Sequence, residues 1–102
     1  MIPETFFFIF GNRKRLKILV ALNELGEGNQ YRIGQRAGLG HNQSIHRHLQ
    51  ILEEFHLILS RPTEKLKGTM EYRLNLAHPL MKALRAFIME IHLYENRLEA
   101  TV

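Results

Sequence analysis

The chain has 102 residues, no cysteine, and 14 lysines and arginines against 10 acidic residues, a formal net charge of +4. One domain with a single core fits this length, and the lack of cysteine excludes a disulfide framework, a thiolate metal site and a cysteine nucleophile. The basic excess favours a polyanionic partner, while the longest apolar run, Phe6 to Phe10, is far too short for a bilayer span and follows no basic segment, so a soluble, cytoplasmic protein is expected.

Residues 1–11 hold an aromatic segment, Phe6, Phe7, Phe8, Ile9 and Phe10, closed by Gly11. Bulky apolar residues in unbroken succession cannot share one face of a helix. Some must be covered by a second surface, either the rest of the domain or a partner subunit. Asn12 suits the N-cap of a helix through Leu25, with Ile18, Leu19, Leu22 and Leu25 on one face and Gly26 as its stop. Arg13, Lys14, Arg15 and Lys17 cluster at its start.

Residues 29–56 read as two helices around a glycine-rich turn. Gly28 and Asn29 form a turn ahead of a first helix from Tyr31 to Ala37. Gly38, Leu39 and Gly40 then suit a tight corner in which the leucine plugs the angle between helices. Either His41 or Asn42 caps a second helix that runs roughly from Asn42 to Phe55. Its residues Ile45, Leu49 and Leu52 recur at helical spacing and face the core, leaving Gln43, Ser44, His46, Arg47 and Gln50 on the opposite side. His48, near the apolar face, is expected to be a hydrogen-bonded structural histidine, and His56 a helix stop.

Residues 57–76 read as a hairpin. Leu57 to Arg61 form a strand that Pro62 breaks, and Thr63 to Gly68 a loop in which Gly68 can take a left-handed conformation. From Thr69 to Leu76 the pattern alternates strictly, with Met70, Tyr72, Leu74 and Leu76 on one face, the mark of a half-buried strand. Pro79 then opens a last helix, residues 79–100. Leu80, Leu84, Phe87, Ile91, Tyr94 and Leu98 make a heptad seam along it, widened by Met81, Ala83 and Ile88. That is more apolar surface than so small a domain can cover, which points to a partner subunit.

This order of elements predicts a mainly α fold with a small β-hairpin (α+β), a winged helix-turn-helix ending in a long C-terminal dimerisation helix. In such a fold the second helix of the pair enters the major groove of double-stranded DNA, where arginine and glutamine pair bidentately with guanine and adenine edges. Asn42, Gln43, Ser44, His46, Arg47 and Gln50 are therefore the candidate groove residues. Arg32, Arg61, Lys65 and Lys67 are candidates for the phosphate contacts that fix its register.

The segment GNRKRLKILV, Gly11 to Val20, resembles the opening helix of the ArsR-like regulators, and SIHRHLQILEEFHLI, Ser44 to Ile58, is similar to their recognition helix and its continuation into the wing. The style is also similar to small regulators of archaea and of archaeal viruses and plasmids. The resemblance spans most of the chain. It implies a homodimeric repressor joined through its first and last helices, with Phe6, Phe7, Phe10, Leu80, Leu84, Phe87, Ile91, Tyr94 and Leu98 in the interface. Two recognition helices would then face a pseudo-palindromic operator, Lys65 and Lys67 lying along the flanking backbone. The turn before the recognition helix is one residue longer than the family's common pattern, which leaves the register of the groove-facing residues open by one.

The family's cysteine metal ligands are absent. Of its second metal site, on the last helix, His92 and Glu95 match one half, but Pro79 and Met81 stand where the other half belongs, too few ligands for tight binding. No cofactor and no metal are expected. A protein-binding winged helix of the transcription machinery is the alternative reading; its recognition face would be apolar or acidic, unlike one carrying Arg47. An enzyme is disfavoured, since the chain has no aspartate and its six histidines form no triad or ligand pattern.

Overall fold

The computed structural model describes residues 4–40, 44–64 and 68–100. In chain order they form α1 (Glu4–Phe10), α2 (Arg13–Leu25), β1 (Gly28–Asn29), α3 (Gln30–Arg36), α4 (Ser44–Glu54), β2 (Ile58–Pro62), β3 (Met70–Leu74) and α5 (Pro79–Ala100). The architecture is mainly helical with a small antiparallel sheet of strand order β1-β3-β2.

Local chemistry explains most of the boundaries. The Asn12 side chain accepts a hydrogen bond from the Arg15 amide at 3.1 Å and so caps α2. Gly26, at φ 77°, ends it with an amide bond to the Leu22 carbonyl. The far end of α4 closes on a non-glycine residue. His56 takes φ 60° while its amide donates to Glu53 and the next amide, Leu57, reaches back to Leu52, the paired bonds of a Schellman cap. At α5, the imidazole Nδ1 of His78 accepts from the Leu80 amide at 3.1 Å just ahead of Pro79.

Three features of the sheet differ from the expected hairpin. Gly28 and Asn29 are a short strand, paired with Tyr72 and Glu71, instead of a turn; two residues are too few to show any period. Pro62 does not break β2 but is its last residue, opposite Met70. β2 is an edge strand, where a missing amide donor is tolerated. Only Tyr72 and Leu74 of the alternating face are buried, while Met70 and Leu76 are exposed beyond the cover of the helices.

The core gathers Ile18, Leu19 and Leu22 of α2, Ile33 of α3, Ile45, Leu49 and Leu52 of α4, and Leu57, Ile58, Tyr72 and Leu74 of the sheet region. From α5 it takes Met81, Leu84 and Ile88. Leu84, expected in a subunit interface, is thus 6 % exposed and belongs to the protomer's own core. The buried stripe of α5 is centred one residue, or about 100°, away from the heptad seam. Leu80, Phe87, Ile91, Tyr94 and Leu98 stay exposed, and every residue of α5 beyond Ile88 is exposed. The aromatic segment divides in the same way: Ile9 is buried and Phe8 half-buried, while Phe6, Phe7 and Phe10 face outward.

Candidate nucleic-acid interface

The corner between α3 and α4 depends on one close approach. A Cβ on Gly34 would lie 2.8 Å from both the Gly40 carbonyl oxygen and Ile45 Cδ1, so a larger residue would push α4 away from α3. The end of α3 is a second Schellman cap, with Gly38 at φ 72° donating to Gln35 and Leu39 donating to Gly34. Leu39 packs partly buried against the core, as a plug in the corner would. Asn29 caps α3 from the other side, its side chain accepting from the Arg32 amide at 2.8 Å.

This corner sets the orientation of α4. Ile45, Leu49 and Leu52 anchor its inner face, and His46, Arg47 and Gln50 are exposed on its outer face, with Ser44 half-buried at its start. Arg32 is exposed on α3. Asn42, Gln43, Lys65 and Lys67, and His41 as the alternative cap, lie outside the described residues. Gly68 has φ 82°, the left-handed conformation expected of it.

Two basic residues are not free cations. Arg61 donates to both carboxylate oxygens of Glu27, at 2.6 and 2.9 Å, and lies 3.7 Å from Glu71. The expected phosphate contact is therefore already matched by carboxylates, because the register that sets Arg61 opposite Glu71 also points it across the sheet toward Glu27. Arg36 is likewise held by Glu24 at 2.6 Å. Lys14, absent from the expected site, has its ammonium 3.5 Å from the Ser44 hydroxyl at the first residue of α4. No local sequence signal joins positions 30 apart.

His48 differs from the hydrogen-bonded histidine expected there. Its Nδ1 is buried without a hydrogen-bond partner among the described residues, because the elements packed against it present cations and rings. Burial, and then Arg15, Lys14 and Arg47, hold its pKa below the ordinary histidine value. Arg15 itself is structural, its guanidinium donating to the Phe8 carbonyl at 3.0 Å and lying 4.0 Å above the Phe8 ring.

On another side of the molecule α1 and α5 enclose an apolar groove of about 590 Å³, lined by residues that include Phe6, Ile9, Phe10, Leu80, Leu84 and Phe87. Phe87 on its rim is 61 % exposed. Among the described residues no group of three or more histidine or acidic side chains could hold a metal ion, and no helix is long and apolar enough to cross a membrane.

No protein-family model and no curated protein matches the sequence. Solved structures share the fold. The antimony-specific transcriptional repressor AntR superposes with a TM-score of 0.71 at 17 % identity, over 92 % of this chain and 79 % of that one. The transcriptional regulator PA4135 gives 0.67 at 14 %, over 94 % and 71 %. NadR, solved with 4-hydroxyphenylacetate, gives 0.68 at 17 %, over 97 % and 72 %. At these identities the likeness shows a winged-helix regulator fold.

Proposed function

We propose that this chain is a sequence-specific regulator of transcription that binds double-stranded DNA in the cytoplasm as a homodimeric repressor of ArsR-like type. The observation that carries the reading is α4, which anchors Ile45, Leu49 and Leu52 inward and leaves His46, Arg47 and Gln50 exposed outward. Those side chains can pair with base edges in a major groove. The fold shared with the repressor AntR supports it.

The dimer is supported by the surface that a lone protomer leaves bare. Phe6 and Phe10 of α1, and Leu80, Phe87 and Ile91 of α5, are large, apolar and exposed, and burying each is worth roughly 1.5–3 kcal/mol. Two-fold pairing through α1 and α5 gives each recognition helix a symmetry mate, spaced for successive major grooves about 34–36 Å apart.

Selection of bound fragments from a random duplex pool tests the reading. A two-fold symmetric motif is expected, with affinity falling about 10³–10⁵-fold between roughly 50 and 200 mM salt if on the order of six to ten phosphates are contacted. No enrichment, or salt-independent binding, would overturn it.

A further inference from the structure

The basic side chains near the recognition helix divide by what faces them. Among the described residues the ion pairs join Arg36 to Glu24 and Arg61 to Glu27 and Glu71, and none involves Lys14 or Arg47. Lys14 instead reaches across from α2 to the Ser44 hydroxyl at 3.5 Å. That length is at the loose limit of a hydrogen bond, so the ammonium can turn to a stronger acceptor at little cost. Arg47 projects from the exposed side of α4 less than one turn further along.

The convergence of these charges has an internal reporter. Lys14 and Arg15 from α2 and Arg47 from α4 all act on His48, and all disfavour its protonated form. No acidic group offsets them there. Where the start of α2 meets the start of α4, the surface therefore carries uncompensated positive charge beside a hydroxyl donor, the chemistry that binds a phosphodiester oxygen. The wing's Arg61 lacks this property, since a bidentate carboxylate already matches it.

We infer that Lys14, with the Ser44 hydroxyl, binds a DNA backbone phosphate beside the bases that α4 reads, so that α2 fixes the register of the recognition helix and Arg61 does not. The inference rests on the DNA-binding reading above and names a contact within it. Lys14 is a positioning residue here, with no part in telling one base from another.

The test uses the full chain and two labelled duplexes of equal length, the selected site and an unrelated sequence, titrated between about 50 and 200 mM salt. Lys14→Ala and Lys14→Gln should weaken binding to both duplexes alike and lower the slope of log affinity against log salt by about 0.9, the value for one phosphate contact. Lys14→Arg should retain the wild-type slope, and Arg61→Ala should leave it unchanged. Circular dichroism melting of each variant checks the fold. An unchanged slope in Lys14→Gln, a loss confined to the selected duplex, or a slope change in Arg61→Ala would overturn the inference while leaving DNA binding intact. A wild-type chain that binds neither duplex would remove the DNA reading and this contact together.

Discussion

The ring of Phe8 in α1 lies 4.4 Å, centroid to centroid, from the ring of Phe55 just past the end of α4. α1 thereby touches the base of the recognition helix with one face and lines the groove against α5 with the other. Arg15 fixes its position from α2, bonded to the Phe8 carbonyl and stacked on the same ring. An aromatic pair contributes about 0.5–1.5 kcal/mol beyond its buried area. A double-mutant cycle of Phe8→Leu and Phe55→Leu, read by urea denaturation, should return a coupling of that order; additive single losses would show that the contact carries no energy.

The heptad seam of α5 separates into two experiments. Leu84 is in the core, so Leu84→Ala should lower the stability of the fold by about 2–5 kcal/mol in denaturant titration. Ile91 is on the bare face, and Ile91→Glu should leave the circular dichroism spectrum intact while placing an unpaired charge in the proposed interface. Sedimentation equilibrium should then find monomers with most operator affinity lost. If Ile91→Glu stayed dimeric, the seam would have no part in assembly.

Glu27 holds Arg61 away from any other anion. Freeing that guanidinium should tighten DNA binding, with a salt slope steeper by about 0.9 in Glu27→Gln than in the parent chain. Adding Arg61→Ala to Glu27→Gln should cancel the gain. If the gain survives in the double variant, it comes from removing a negative charge near DNA and not from Arg61.

His48 supplies a pH dependence. Its pKa in the fold lies below the ordinary value of about 6.5, through burial first and then the charges of Arg15, Lys14 and Arg47. The unfolded chain therefore binds the proton more readily than the fold. The stability this contributes is fully present above about pH 6.5 and is lost as pH falls from there through the folded-state value. Urea midpoints measured from pH 8 down to pH 5 should decline on the acid side, and His48→Gln should flatten that decline. A variant with the same acid limb would assign it to other groups.

What the sequence determined by itself is local. The Asn12 cap, the Gly26 and His56 stops, the Pro79 start and the inward stripe of Ile45, Leu49 and Leu52 all follow from side chains within one or two helical turns of the features they control, where propensity and period act. The tertiary structure decided what depends on direction and on distance along the chain. Periodicity shows that α5 has an apolar stripe, but the angle at which the helix lies on α1 and the sheet selects Met81, Leu84 and Ile88 for the core and leaves Phe87 and Ile91 outside. β1 exists only because β3 passes beside Gly28 and Asn29 and completes their hydrogen bonds. The charges were sorted in the same way: Arg61 and Lys14 look alike as letters, yet the path of the chain brings a carboxylate from 34 residues away onto one and a hydroxyl from 30 residues away onto the other. Such partners are non-local, and their pairing is settled by packing.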